Sequence, residues 1–189
     1  MKTPDTHITY FTQDELRRLF AVIKDKRDKA LFQLAYHHGL RASEVSLLQR
    51  NDINDKQGRI YIHRVKGSIS KAYPIQPEDS RLIRSYLRTR TDDSPYLFIT
   101  NRSMPLERRS YWDLMQKYGK MAELPKEKLR FHLLRHSIAV HLLDAGADVA
   151  FVQDRLGHAN IQNTMVYMRY TTVTREAQTR KLFASHRVV

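Results

Sequence analysis

The sequence predicts a mainly α-helical domain that carries a small antiparallel β-sheet, an α+β fold. Apolar residues recur at helical spacing over most of the 189 residues. Alternation with a period of two is confined to RIYIHRV (59–65) and KAYPIQ (71–76), which the turn-like KGSIS joins into a hairpin. No repeat, low-complexity tract or linker interrupts the chain, so we expect one folded domain.

The first two helices are marked by their ends. Thr12 and Glu15 fit a capping box, in which a threonine precedes the helix and a glutamate follows three residues later. A helix is therefore predicted to start there. A second helix is expected over 26–38, and Gly39 is a natural stop for it because glycine readily adopts the left-handed conformation found after helix ends.

A short third helix is expected from Ala42 or Ser43, with Val45, Leu47 and Leu48 pointing inward. Further helices are predicted over 78–89, 107–122, 133–145, 148–156, 161–170 and 174–183, and PYLFIT (95–100) is a candidate third strand. In the helix over 133–145, leucine and isoleucine side chains at positions 134, 138 and 142 predict a buried stripe.

The charge balance favours a polyanionic partner. Lysine and arginine number 33, aspartate and glutamate 20, which gives a net charge of +13 and a pI near 10.1. Nucleic acid, DNA or RNA, is the first candidate because neutralising its phosphates releases condensed counterions. A basic domain without a polyanionic partner is the alternative.

Composition also excludes several classes of protein. The lack of cysteine rules out disulfides, a thiol nucleophile and cysteine-based zinc sites. No apolar run is long enough to span a bilayer, and the first residues lack the apolar core of a signal peptide. We therefore expect a cytoplasmic protein that does not bind a membrane.

Two segments place charged groups at helix ends. In GLRASE (39–44), Arg41 lies in the turn between two apolar helices, where an arginine is usually solvated. In HLLRH (132–136), His132 and Arg135 share a helix face near its N-terminus, a position that favours an anion. Each has an ordinary structural explanation when taken alone.

A third segment, LGHAN (156–160), is followed by Tyr167 nine residues after His158. Helix capping and packing would explain both residues. The three segments together, with a lysine from the hairpin, contain the groups that metal-free phosphoryl transfer requires. Paired guanidiniums match the non-bridging oxygens of a phosphate. A phenol, with a pKa near 10, needs a proton acceptor and positive surroundings, and the leaving oxygen needs a proton donor.

A shared metal ion at His132 and His136 is an alternative, because residues four apart lie on one face of a helix. The glutamate of an HExxH motif is missing, and Arg135 would repel a cation. We therefore expect no metal site.

At these residues the sequence resembles the tyrosine recombinase (phage integrase) family. HGLRASEVSLLQRNDI is similar to the family's first motif. The stretch from HLLRH to VYMRY is similar to its second block, with H-x-x-R, LGH and Tyr at the spacing found in Xer-type members. The resemblance covers residues 10–180. It implies catalytic roles for Arg41, His132, Arg135, His158 and the nucleophile Tyr167, with Glu44 as a supporting residue.

The resemblance also implies a catalytic lysine in the hairpin. Lys66, eight residues before Pro74 in AYPI, matches the family's pattern best. The first glycine of the family's GKG is Val65 in this chain, and Lys71 is the competing lysine.

The implied activity is site-specific recombination of double-stranded DNA. Strands would be cut and rejoined through a 3′-phosphotyrosyl bond, without metal, ATP or another cofactor, to integrate, excise or invert a DNA segment. Two alternatives remain on the same fold: a catalytically idle DNA-binding or regulatory protein, and a type IB topoisomerase-like enzyme that relaxes DNA.

The resemblance further suggests an architecture. Residues 1–9 are expected to form an N-terminal arm, and 10–189 a catalytic domain that ends in a tail helix over about 171–189. No separate core-binding domain is expected, as in the short recombinases that invert fimbrial promoter segments. Self-assembly to a tetramer on paired sites, an accessory DNA-bending protein and a nucleoid-associated location in the cytoplasm are implied.

Overall fold

The computed structural model describes residues 8–65, 67–171, 179–180 and 183–184. Lys66 and most of the predicted tail helix lie outside these residues; positions 179–180 and 183–184 are helical. The helices are α1 (Gln13–Val22), α2 (Lys26–His37), α3 (Ala42–Leu47), α4 (Pro77–Leu87), α5 (Arg108–Met121), α6 (Leu133–Asp144), α7 (Val149–Leu156) and α8 (Gln162–Met165). Short 3₁₀ helices cover Arg50–Asp52, Lys126–Lys128 and Val166–Tyr170. The strands are β1 (Ile53–Asn54), β2 (Arg59–Ile62) and β3 (Lys71–Pro74).

The predicted ends of the first two helices are confirmed. The Thr12 hydroxyl accepts a hydrogen bond from the Glu15 amide at 3.2 Å, and the Glu15 carboxylate accepts one from the Thr12 amide at 2.7 Å. Asp25 caps α2 by accepting the amide of Asp28. The helix stops before Gly39, whose φ of +57° is the left-handed conformation that favours glycine.

The predicted hairpin is also confirmed, and it is antiparallel, with Ile60 opposite Tyr73. The third strand of the sheet is β1, which pairs with β2, so the order is β1-β2-β3. The prediction of a strand at PYLFIT is wrong. Tyr96 and Ile99 form isolated bridges, and the Leu97 amide donates to the Leu48 carbonyl in the preceding loop, so this segment does not join the sheet.

Helix α6 lies at the centre of the domain and packs against α2, α7 and the 3₁₀ helix Val166–Tyr170. Its buried residues run almost all the way round the helix, so the predicted single stripe is too narrow. The predicted helix over 161–170 is only partly right, since α8 is one turn long and continues as the 3₁₀ helix.

One predicted core residue is misplaced. Val45 and Leu48 are buried, as expected, but the Leu47 side chain is 43% exposed. Two residues along a helix turn the side chain by roughly 200°, so Leu47 lies opposite Val45 on α3. Among the described residues, no helix is long and apolar enough to cross a membrane.

Candidate active site

Glu44 organises the charged centre of the domain. It lies in the first turn of α3, and its carboxylate accepts the Arg41 amide at 2.9 Å and the Arg41 Nη1 at 2.6 Å. Arg64 Nη1 donates to the same carboxylate at 2.8 Å, and Arg135 Nη1 lies 3.8 Å away. The Glu44 side chain is fully buried, so a carboxylate shielded from water lies among three guanidiniums, of which only that of Arg41 is partly exposed.

These charges hold Glu44 in its ionised form. Burial by itself would raise the pKa of its carboxyl group. The charge of Arg64, the Arg41 amide and the charge of Arg135 outweigh burial, and the pKa is lowered.

Arg135 is held by backbone carbonyls on two sides. The residue is 1% exposed, and its guanidinium donates to the Gly39 carbonyl at 2.5 Å and to the Leu156 carbonyl at 2.9 Å. Burial, and next the charge of Arg41, lower the pKa of Arg135 to about 9, so it remains a cation at neutral pH. The end of α2 and the end of α7 thus fix this arginine in place.

Arg64 is a site residue that the sequence analysis missed. Its side chain is fully buried and donates to the His38 carbonyl at 3.1 Å and to the Arg155 carbonyl at 2.6 Å, besides Glu44. A signal was available: Ile60 and Ile62 are both buried, and continuing their alternation past the end of β2 places Arg64 on the inward face. A charged residue at such a position requires a buried partner.

The close packing of Arg64 depends on Gly157, which leads to a prediction. Gly157 has a φ of +69°, and a Cβ atom there would lie 3.0 Å from Arg64 Nε and 3.1 Å from its Cγ. Replacing Gly157 by alanine should lower the free energy of unfolding by about 2–3 kcal/mol, because left-handed strain adds to a contact that the buried Arg64 cannot relieve. Urea denaturation measures this.

Gly58 provides the matched control. Its φ of +60° is almost the same, but a Cβ atom added there would have no neighbour within 4 Å. Gly58→Ala should therefore cost only the conformational strain, about 1 kcal/mol. Equal losses for the two variants would contradict the packing role of Gly157.

The hairpin loop is tied to the same centre on both sides of Lys66. Before it, Arg64 binds Glu44; after it, the Ser68 hydroxyl accepts from Arg41 Nη1 at 3.3 Å, and the Ile69 amide donates to the Gly157 carbonyl at 3.2 Å.

Lys71, the competing lysine, is paired with a residue of α7. Its ammonium forms an ion pair with Asp154 on α7 and lies 5.3 Å from the centre of the Tyr73 ring. The Lys71 side chain is 42% exposed.

Tyr167 lies in the 3₁₀ helix after α8 and is 3% exposed. Its hydroxyl forms a 2.8 Å hydrogen bond with Nδ1 of His136, a residue that the sequence analysis considered only as a metal ligand. Burial raises the pKa of Tyr167, while the charges of Arg135 and Arg41 act in the opposite direction. The hydroxyl is therefore protonated at neutral pH in a cationic environment.

The two histidines at the start of α6 differ in position. His132 is exposed at the N-cap, and its ring stands edge-on to the ring of His136 at 4.5 Å between centroids. Burial, and next the charges of His132 and Arg135, lower the pKa of His136 to about 4. His136 is therefore neutral at physiological pH.

His158 follows the left-handed Gly157 and is 8% exposed. Its Nδ1 lies 2.8 Å from the Thr164 hydroxyl, which fixes the orientation of the ring. Burial, and next the charges of Arg135 and Arg41, lower the pKa of His158 to about 4.

The fold brings most of the predicted site residues into one cluster around Glu44. Arg41, Arg135, His158 and Tyr167 interact through direct contacts or through their charges, and His132 stands at the exposed edge beside His136. Within the described residues, no group of three or more metal-binding side chains occurs. The arrangement suits an anion held by arginines beside a buried phenol.

Comparison with known proteins places this chain in a family. The sequence profile described as "Phage integrase family" matches residues 9–174. The chain belongs to the phage integrase family. This confirms the resemblance recognised in the sequence, and the fold class is confirmed by the structures of family members.

Among the relatives of this integrase-family chain is tyrosine recombinase XerA of Pyrococcus furiosus, 39% identical over 175 residues, which cover 90% of this chain and 60% of the relative. The type 1 fimbriae regulatory protein FimB of Escherichia coli K12 is 34% identical over 145 residues, 75% of this chain and 72% of the relative. The chain thus spans 60% of the length of that XerA.

Two solved structures show the same fold. A crystal structure of XerA recombinase superimposes with a TM-score of 0.77 at 28% identity, over 98% of this chain and 66% of that one. A post-cleavage complex of XerH recombinase with a palindromic difH substrate also gives a TM-score of 0.77, at 22% identity, over 94% of this chain and 54% of that one.

Proposed function

We propose that this integrase-family chain is a site-specific DNA recombinase that cuts and rejoins strands through a 3′-phosphotyrosyl bond on Tyr167. The observation that carries the proposal is the buried Tyr167, on which the charges of Arg135 and Arg41 act, two arginines that face the Glu44 carboxylate. The relatives support it, since XerA is named a tyrosine recombinase and the XerH structure holds a DNA substrate after cleavage.

In the proposed reaction, Tyr167 attacks a phosphodiester and frees a 5′ hydroxyl. Arg41 and Arg135 hold the non-bridging oxygens, because guanidiniums offer two parallel donors to a phosphate. His158 donates a further hydrogen bond, and His132 accepts the tyrosine proton or orients the phosphate. Lys66 protonates the leaving oxygen.

The energy of the phosphotyrosyl bond and the exposure of the site residues both fit this reaction. The phosphotyrosyl bond conserves the energy of the phosphodiester, so rejoining by a 5′ hydroxyl requires neither ATP nor a metal. The Arg41 side chain is 22% exposed and His132 is exposed, whereas Arg135 and Tyr167 are buried. A phosphate would therefore meet Arg41 and His132 first.

The partners and the organisation of the protein belong to the same proposal. Double-stranded DNA is the substrate, a tetramer on paired sites is the working assembly, and an accessory DNA-bending protein adds contacts on the duplex. Residues 1–9 serve as an arm and 10–189 as the catalytic domain. The protein acts on the nucleoid in the cytoplasm. The net charge of +13 supports binding along the DNA backbone.

A plasmid assay tests the function. Supercoiled plasmids carry one or two copies of the repeats that flank the gene in its genome, and products are separated on gels. We expect recombinant products only with two copies. Relaxation independent of paired copies would indicate the topoisomerase-like alternative, and unchanged plasmid under conditions of measured binding would indicate an idle DNA-binding protein.

The role of Lys66 gives a separate prediction. A 5′-bridging phosphorothiolate leaves without an acid, so Lys66→Ala should cleave normal DNA about 100-fold or more slowly than the wild type and cleave this substrate at close to the wild-type rate. Arg41→Ala should stay slow on both substrates, since it acts on the non-bridging oxygens. Single-turnover cleavage rates measure both. If the phosphorothiolate substrate instead rescued Lys71→Ala, the residue that protonates the leaving oxygen would be Lys71, which in the structure pairs with Asp154.

A further inference from the structure

We propose that His136 is a further catalytic residue, whose Nδ1 accepts the proton of the Tyr167 hydroxyl as the tyrosine attacks phosphorus. The inference rests on the proposed function, and it assigns the proton acceptor to a residue outside the H-x-x-R pair. It leaves His132 with the other of its two proposed roles, orienting the phosphate.

The geometry favours His136 because it touches the reacting group. The Tyr167 oxygen and His136 Nδ1 are 2.8 Å apart, within the range for direct proton transfer. The two rings are 5.6 Å apart between centroids and tilted by 49°. Tyr167 is only 3% exposed, so bulk water has little access to its hydroxyl, and the hydrogen-bonded His136 is in place to take the proton.

His132 is placed less well for this task. It stands at the exposed N-cap of α6 with its ring 4.5 Å from that of His136 between centroids, whereas the Tyr167 hydroxyl is hydrogen-bonded to His136. Exposure suits a group that meets an incoming phosphate. It does not suit one that takes a proton from a buried phenol.

The electrostatic surroundings fit the same assignment. Burial raises the pKa of Tyr167, so the hydroxyl needs a base, while Arg135 and Arg41 stabilise the phenolate that forms. The low pKa of His136 keeps its ring neutral and makes it a weak base, so the proton moves to Nδ1 only as the bond to phosphorus forms. In the tautomer that carries hydrogen on Nε2, the Nδ1 lone pair faces the hydroxyl.

Cleavage exchanges one phosphorus–oxygen bond for another and moves two protons. The O–H bond of Tyr167 breaks and its proton moves to His136 Nδ1, while the tyrosine oxygen forms a bond to phosphorus. The bond from phosphorus to the 5′ oxygen breaks, and that oxygen leaves as a hydroxyl with a proton from Lys66. Rejoining reverses each transfer, so His136 returns the proton to Tyr167.

The chain offers a matched control on the same helix. His141, five residues after His136 on α6, also places its Nδ1 2.8 Å from a tyrosine hydroxyl, that of Tyr36. Tyr36 lies outside the cluster around Glu44. Replacing His141 therefore removes a contact of the same kind without touching the proposed reaction.

The experiment compares asparagine and alanine at position 136. An asparagine places an amide oxygen close to where Nδ1 was, so it keeps a hydrogen bond to Tyr167 but cannot take a proton. Single-turnover cleavage of a nicked substrate is measured with the full-length chain, together with DNA affinity and the melting temperature. We expect His136→Asn and His136→Ala to cleave about 100-fold or more slowly at unchanged affinity, and His141→Asn to cleave at close to the wild-type rate.

A second measurement keeps the test valid if a variant loses stability. Added imidazole should accelerate His136→Ala, which has room for it, and should not accelerate the wild type or Tyr167→Phe. If His136→Asn cleaved at the wild-type rate, the contact between His136 and Tyr167 would only position the tyrosine. If it cleaved faster than the wild type, the contact would restrain the tyrosine. Either result overturns the inference. Wild-type protein that forms no covalent adduct with DNA would instead overturn the proposed function.

Discussion

Replacing Arg135 by lysine is expected to slow strand cleavage by about 100- to 1,000-fold and to change DNA affinity only a few-fold. The buried guanidinium binds two carbonyls, those of Gly39 and Leu156, while facing Glu44. A lysine has one ammonium nitrogen, which cannot bridge both carbonyls and also present a fork of donors to a phosphate. Single-turnover cleavage and filter binding measure the two quantities separately.

Arg109→Lys is the control for that change. Arg109 has an exposed side chain on α5, where it pairs with Asp113 and stacks on the Trp112 ring. Its replacement should leave the cleavage rate close to that of the wild type. If Arg135→Lys cleaved as fast as Arg109→Lys, the proposed role of Arg135 would be wrong.

Replacing Glu44 by glutamine is expected to have the largest effect on stability. Arg41, Arg64 and Arg135 would then share a buried neutral amide instead of a carboxylate. Removing the partner of buried charges costs about 3–5 kcal/mol in other proteins, and we expect a loss of that order in the free energy of unfolding. Cleavage should fall as well, because Arg41 and Arg135 lose the group that positions them.

Glu78→Gln is the control for Glu44→Gln, because it removes a glutamate charge near a helix start without removing the partner of buried arginines. Glu78 lies in the first turn of α4 and pairs with Arg81, but both side chains are largely exposed. Exposed ion pairs contribute little, so urea denaturation should show almost no change for Glu78→Gln. A similar small change for Glu44→Gln would contradict the view that Glu44 balances the arginine cluster.

The sequence predicted those parts of the molecule that depend on local rules. The capping box at Thr12, the stop at Gly39 and the hairpin follow from contacts between near neighbours in the chain. The prediction of a strand at PYLFIT was wrong because tertiary contacts determine the conformation of this segment. The Leu97 amide donates a hydrogen bond to the Leu48 carbonyl. Local β-propensity carried no information about that partner.

The site shows the same division. The family resemblance singled out Arg41 and Tyr167, which the fold brings to one cluster. The alternation after Ile60 and Ile62 could place Arg64 on the inward face, but its partners, and the contact made by His136, could be recognised only from the structure. Arg64 owes its role to carbonyls from distant segments, and His136 to the short 3₁₀ helix that brings Tyr167 against α6. Both depend on contacts between residues far apart in the sequence.

The most direct test of the proposed chemistry is to locate a covalent bond between the protein and DNA. Wild-type protein is incubated with a nicked substrate that carries its recombination site, denatured and digested, and the peptide bound to nucleotide is identified by mass spectrometry. We predict that the peptide contains Tyr167 joined to a 3′ phosphate, and that Tyr167→Phe gives no adduct at unchanged DNA affinity. An adduct on another residue, or one that persists in Tyr167→Phe, would contradict the assignment of Tyr167 as the nucleophile.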